Sequence, residues 1–351
     1  MEERLRRLRE KIGHLDGVII SDSFNRRYLS GFTGSAGFLF ITAEKAIIAV
    51  DFRYVEQAKL QAPHFQVYHY PTPREGINKL LADEGLKKVG FEALHTSYSQ
   101  YQEWVGDNDQ IQWEPLVGIV EELRLCKDED EINKIKKAAQ LTDAGFEHIL
   151  GFLKPGVSER EIALELEFFL RREGADKMSF DPIIGSGPNG ARPHARPGER
   201  TLEVGDLVVL DFGVLYQGYC SDMTRTVVIG EASQEQRERY ELVLRAQKAG
   251  VAAVRPRPAK EVDGIVRQYF IDEGLGDHFG HGLGHAVGLE IHEDPRLTPQ
   301  SEHMLEAGNV VTIEPGLYFP GWGGIRIEDL VLVTEDGYEV FSQSPKELLI
   351  L

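Results

Sequence analysis

Cysteine is nearly absent: Cys126 and Cys220 are the only two among 351 residues. Two thiols cannot build a disulfide framework or a thiolate metal site, so both are expected as small buried hydrophobic side chains. Long apolar runs are missing as well. None approaches the ~18 residues that a membrane-spanning helix needs, and the opening "MEERLRRLREKI" lacks the apolar core of a secretory signal. Leu5, Leu8 and Ile12 instead mark one face of an amphipathic helix. Positive charge is also scarce. With 39 Lys and Arg against 57 Asp and Glu, the net charge is -18. That balance argues against a phosphate-backbone partner and an anionic membrane surface. The expectation is a cytoplasmic protein with neither nucleic acid nor membrane as partner.

The chain is long enough for two domains, and 42% hydrophobic residues suffice for a sizeable core. A boundary falls near Cys126, giving domains at 1–125 and 126–351. In the first, strand-like runs near Val18, Phe38, Ile47 and Val89 alternate with helical patterns such as Glu56 to Gln61 and Gly76 to Glu84. That is an α/β unit. The stretch "NRRYLSGFTGSAG", Asn25 to Gly37, reads as a glycine-rich loop between two strands. It has no phosphate-loop lysine and opens no clear helix, so phosphate binding is not expected.

In the second region, Asp128 with Glu131, Ser158 with Glu161 and Ser233 with Gln236 form capping boxes that open three helices. A fourth helix is expected over Lys260 to Glu273. Between the helices the chain states one theme twice. From Gly205 it reads "GDLVVLDFGVLYQGYCSD"; from Gly308 it reads "GNVVTIEPGLYFPGWGGIRIED". Gly205 meets Gly308, Asp211 meets Glu314, and Gly213 meets Gly316. Helix–helix–hairpin repeated in this way predicts a pseudo-two-fold domain with its site at the axis.

Each copy ends an apolar strand in a carboxylate, turns at glycine, and carries a second acid beyond the turn: Asp222 in one, Glu328 in the other. A lone carboxylate on a buried strand costs several kcal/mol or loses its charge. Residues two apart on a strand share a face. The parity groups Leu207, Val209 and Asp211; then Asp222, Thr224 and Thr226; then Arg326, Glu328 and Leu330. On this reading Asp211 faces Asp222 across its hairpin and Glu314 faces Glu328. Four such acids call for a counter-charge, which two divalent cations about 3.5–4 Å apart would supply. Imidazole ligands should come from "GHGLGHAVGLEIHEDP", whose glycines at 280, 282 and 284 favour an extended segment over a helix. His281, His285 and His292 lie there, and His194 sits in the loop "ARPHARPG" before the first hairpin.

The motifs "LDFG", "SDMTRT", "GHAVGLEIHE", "TIEPGLY" and "GGIRIED" resemble, in order and spacing, those of the pita-bread metallopeptidases. That group includes methionine aminopeptidase, aminopeptidase P and prolidase. "NRRYLSGFTGSAG" and "DFRYVEQA" are similar to the N-terminal domain of creatinase and prolidase. The resemblance implies an α+β pita-bread (creatinase/aminopeptidase) catalytic domain with pseudo-two-fold duplication, preceded by an α/β creatinase-like domain. It further implies two divalent metal ions, with manganese the first expectation and cobalt or zinc the alternatives. Asp211 would chelate one ion, Asp222 and Glu328 would bridge both, and His285 and Glu314 would hold the other. His281, His292 and His194 match substrate-contacting imidazoles, and Arg326 matches an arginine two before the last bridging acid. The loop departs from the family pattern in carrying Arg192, Arg196 and Arg200 around His194.

The activity so implied is removal of the N-terminal residue from peptides with proline second, an Xaa-Pro aminopeptidase. Cations sharing a water would polarise the scissile carbonyl and acidify that water. Glu314 would take its proton as general base, and His281 or His292 would steady the oxyanion. The alternative is an Xaa-Pro dipeptidase (prolidase), which admits dipeptides alone. A reading of a different class is a non-catalytic binding protein of the same fold. The resemblance also implies a homodimer.

Overall fold

The apolar runs of the first 124 residues form a six-stranded mixed sheet in a computed structural model that describes all 351 residues. Its order is Gln66–His69, Ala46–Val50, Phe38–Thr42, Gly17–Ile20, Lys88–Glu92, Gln112–Leu116. The inner strands are buried along their length, which is why they read as continuous apolar runs. The two outer strands, Gln66–His69 and Gln112–Leu116, carry half-exposed polar residues and left no such run in the sequence.

The stretch at Asn25 departs from its expected loop. Ser23–Ser30 is a helix, opened by Asp22, whose side chain accepts from the Phe24 and Asn25 amides at 2.9 Å each. Gly31, at φ 81°, ends it. Tyr28 and Leu29 are buried, and Arg26 donates inward to the carbonyls of Gly34 and Gly37. One buried arginine thus orders the glycine segment, a role that small-residue composition conceals.

The chain divides into two compact units, Met1–Arg124 and Leu125–Leu351. In the second, the capping boxes open helices Glu129–Leu150, Glu159–Arg172 and Gln234–Ala252. The fourth helix, Ala259–Asp272, starts with no side-chain cap at Pro258. Each half pairs two antiparallel strands and lays two helices against them. Leu207–Phe212 pairs with Met223–Val228 over a core that includes Phe146, Ile162 and Leu166. Val310–Ile313 pairs with Asp329–Val333 over a core with Val243, Val262 and Val266. The long helices are amphipathic and none is long and apolar enough to cross a membrane.

The expected simple hairpins do not form. Each ladder opens early, and the intervening chain folds away into its own ribbon: Val214–Tyr216 with Tyr219–Cys220, and Gly316–Phe319 with Gly323–Arg326. Asp211 therefore sits opposite Thr224 rather than Asp222. Arg326 and Glu328 lie on either side of a strand break, so their shared parity does not apply. Gly213 permits the first opening, because a Cβ there would stand 1.9 Å from the Ser221 carbonyl oxygen. The acids point inward where the ladders part. A further difference concerns Cys126, which is only half-buried; Cys220 is buried as expected.

Candidate active site

Asp211 lies near the end of strand Leu207–Phe212, Glu314 follows strand Val310–Ile313 of the other half, and Asp222 and Glu328 immediately precede the facing strands Met223–Val228 and Asp329–Val333. The Glu328 amide donates to the Thr224 carbonyl at 3.1 Å, stitching the two halves together beside these acids. Asp211, Asp222 and Glu328 present oxygens that all lie within 4.8 Å of one another, and all three residues are buried. Asp211 Oδ1, Asp222 Oδ1 and Glu328 Oε1 have no hydrogen-bond partner. Orphaned buried carboxylate oxygens are rare and need a specific account.

The electrostatics point the same way. Burial, followed by the charges of neighbouring acids, pushes the Asp222 and Glu328 carboxyls well above the usual range. Burial pushes Glu314 up to about 8. His285 lies on the extended segment Gly284–Ala286. Its Nδ1–H donates to the Ala286 carbonyl at 3.1 Å, which fixes the tautomer. The other nitrogen, Nε2, then turns a lone pair toward Asp222 Oδ2 at 3.6 Å and Glu314 Oε1 at 3.4 Å. Burial holds the His285 pKa down to about 3, so this imidazole is neutral. A lone pair facing two acidic groups needs a proton or a cation between them. Four carboxylates and one neutral imidazole make a donor set suited to hard or borderline divalent ions. The residues fit the group that the motifs imply.

Arg326 organises the acids from behind. It donates through Nη2 to Asp211, through Nε to Thr224 Oγ1 at 3.1 Å, and through Nη1 to the Tyr318 hydroxyl at 2.7 Å. The Thr224 hydroxyl in turn donates a hydrogen bond to Glu328 Oε2 at 2.6 Å. Burial opposes the Arg326 charge, but Tyr318, Asp211 and Glu314 hold its pKa well above the ordinary value.

Residues 133–335 match the model of metallopeptidase family M24, and residues 3–126 match the creatinase/prolidase N-terminal domain. The chain belongs to metallopeptidase family M24. It is a metal-dependent hydrolase with a pita-bread catalytic domain and a creatinase-type N-terminal domain. The structure of Xaa-Pro dipeptidase from Bacillus anthracis is 45% identical, with a TM-score of 0.96 over 100% of this chain and 99% of that one. The Xaa-Pro dipeptidase of Pyrococcus horikoshii is 37% identical over 353 residues, 99% of each chain. X-Pro aminopeptidase from Thermotoga maritima MSB8 is 33% identical, with a TM-score of 0.92 over 98% of this chain and 100% of that one.

The remaining imidazoles of this M24 chain stand in different settings. The ring of His292 meets that of His285 edge-on, centroids 4.4 Å apart, and burial lowers its pKa. His281 has both nitrogens engaged. Its Nδ1–H donates to the Gly282 carbonyl at 2.7 Å, and Nε2 accepts from the Tyr318 hydroxyl at 3.0 Å. Burial pushes its pKa down to about 4. His194 is exposed on its loop, near enough that its charge is felt by His281 and His292.

The sequence motifs gave no role to Tyr318, Thr312 or Arg296, and placed Thr224 only on a face shared with Asp222. Thr224 shares strand parity with Asp222 and was legible as a neighbour, but its link to Glu328 crosses between halves. Tyr318 lay inside "TIEPGLY", yet only the ribbon Gly316–Phe319 turns its hydroxyl between Arg326 and His281. Arg326 is expected to be structurally costly to lose. Arg326→Met leaves Asp211 buried without its partner, a loss of about 3–5 kcal/mol by the behaviour of broken buried pairs. Urea unfolding of the metal-free protein measures it; a change within ~0.5 kcal/mol, typical of a neutral surface substitution, would contradict this role.

Proposed function

We propose that the protein is an Xaa-Pro dipeptidase in which Asp211, Asp222, His285, Glu314 and Glu328 hold two divalent cations. The observation that carries this reading is the convergence of three orphaned buried carboxylate oxygens beside a neutral imidazole lone pair. Cations bound there would supply Lewis-acid polarisation of the scissile carbonyl and of an attacking water.

The chain's own side chains then divide the work. Glu314 accepts the proton of the attacking water and returns it to the proline nitrogen as that nitrogen leaves. The Thr312 hydroxyl donates to Glu314 Oε1 at 3.2 Å and itself accepts from the His285 amide at 3.1 Å, so the carboxylate is held by one oxygen and Oε2 can carry the proton. His292, with its ring against His285, is the imidazole placed to donate to the developing oxyanion. His281 instead orients Tyr318, since both of its nitrogens are engaged. Arg326 and Thr224 fix the directions in which Asp211 and Glu328 point.

The choice of a dipeptide substrate revises the order given to the two activities by sequence alone. Relatives bearing the dipeptidase name, matched over 99% or more of both chains, support the alternative over the aminopeptidase. Charge placement supports it too. A dipeptide brings its free carboxylate to the site, and Arg296 is an exposed cation whose charge is felt by His285, His292 and Glu314. The test compares Gly-Pro with a longer Xaa-Pro-Xaa peptide after reloading stripped protein with manganese, cobalt or zinc. Gly-Pro is the expected substrate, and Arg296→Ala is expected to raise KM for it by roughly tenfold, the scale of one charge-assisted hydrogen bond. Preferential cleavage of the longer peptide would restore the aminopeptidase reading.

A further inference from the structure

The loop 187–198 carries His194 with Arg192 and Arg196, yet nothing in the reaction chemistry explains what holds it. Its base is unusual. Glu159, on the first turn of helix Glu159–Arg172, is fully buried and has no arginine or lysine in direct contact. Its carboxylate gathers donors from both ends of the loop. Oε1 accepts from the Ser186 amide at 2.8 Å, the Ser186 hydroxyl at 2.7 Å and Asn189 Nδ2 at 3.0 Å. Oε2 accepts from Asn189 Nδ2 at 3.1 Å and from the Gly198 amide at 3.1 Å. The helix backbone adds a second set: the Glu159 and Arg160 amides donate to the carbonyls of Arg200 and Gly198. The positive end of the helix offsets the charge buried there.

Further out, the loop lies on the catalytic machinery. A Cβ at Gly324 would fall 2.0 Å from the Gly190 oxygen, so the loop is packed onto the ribbon that carries Arg326. Arg326 Nη1 also donates to the Pro193 carbonyl at 3.3 Å, one residue before His194. Arg200 is part of the base, paired with Asp206 at 2.6 Å and donating to Ser186 Oγ at 2.6 Å.

We propose that Glu159 is a positioning residue of this hydrolase: its buried carboxylate clamps both ends of loop 187–198 and thereby sets where His194 stands at the rim of the site. This rests on the reading of His194 as a substrate-contacting imidazole. Glu159→Gln keeps the shape but replaces one acceptor oxygen with a donor, so either Gly198 or the Ser186 end must be released.

The experiment is a double-mutant cycle on manganese-loaded enzyme with Gly-Pro, joined to hydrogen–deuterium exchange of the same proteins. Glu159→Gln is expected to lower kcat/KM by roughly 10- to 100-fold, the scale of lost supporting hydrogen bonds around a site. In a His194→Ala background the same change should cost no more than about twofold, because the residue acts through His194. Exchange should quicken in 187–198 and stay unchanged in the strands bearing the acids. An equal loss in both backgrounds, or unchanged exchange in the loop, would overturn the proposal. If Glu159→Gln fails to fold, Asn189→Ala removes a donor from the loop side and is held to the same two outcomes. Wild-type protein that leaves Gly-Pro intact would refute the dipeptidase reading, while the exchange result would still decide whether Glu159 holds the loop.

Discussion

Metal-stripped protein is expected to lose peptidase activity entirely and to become less stable as the pH rises from 6.5 to 8.5. The sign follows from the site. Glu314, Asp222 and Glu328 have folded-state pKa values above their unfolded ones, Glu314 reaching about 8. Their folded forms hold protons, so their contribution is fully present below about pH 4.5 and is lost as the pH climbs through the folded values. His285 works in the opposite sense. Its pKa is pushed down to about 3, so it destabilises the fold only as the pH falls below about 6.5, its unfolded value. Above that pH His285 contributes no further change, while the raised carboxylates, and His95 with its raised pKa, all lose stability in the same direction. Divalent ions require deprotonated ligands, so reloading should release protons and raise Tm most at the alkaline end. Thermal unfolding across this range with and without manganese measures the effect. A flat Tm profile in the stripped protein, or no gain on reloading, would contradict a cation site built from these acids.

Replacing Glu314 with glutamine is expected to reduce kcat by roughly 10²- to 10⁴-fold, the usual contribution of a general base. The substitution preserves an amide oxygen to receive the Thr312 hydroxyl, which now meets Oε1 at 3.2 Å. It removes the capacity to shuttle a proton. KM should change far less than kcat, because the proton moves only on the way to the transition state. Calorimetric titration with manganese alongside the kinetics separates a lost ligand from a lost base. A variant retaining two ions per chain and most of its turnover would exclude Glu314 as the base.

The duplicated strand–acid–glycine units were readable because each element obeys a local rule. Leu207 to Leu210 and Val310 to Ile313 are buried on both faces and therefore read as unbroken apolar runs. The capping boxes at Asp128, Ser158 and Ser233 satisfy helix amides within four residues of themselves. The edge strands Gln66–His69 and Gln112–Leu116 obey no such rule, since their pairing energy comes from distant neighbours. The helix Ser23–Ser30 was hidden for a related reason. Beside its Asp22 cap, it is tied down by Arg26 reaching the carbonyls of a later turn, a contact that periodicity does not carry.

The sequence by itself determined the inventory: which acids interrupt apolar strands, how many times the unit recurs, which imidazoles lie between, and a net charge of -18. Those are properties of residue type and spacing. The tertiary structure alone decided which atoms meet. Strand parity paired Asp211 with Asp222, whereas the opened ladder sets Asp211 against Thr224 and delivers it to Arg326 from the other half of the domain. The double engagement of His281 and the grip of Glu159 on the His194 loop depend on partners 37 and 39 residues away, and the His285 tautomer depends on how the ring turns onto the carbonyl of its neighbour Ala286. Hydrogen bonds are short-ranged and directional, so their partners are chosen only once the chain has folded.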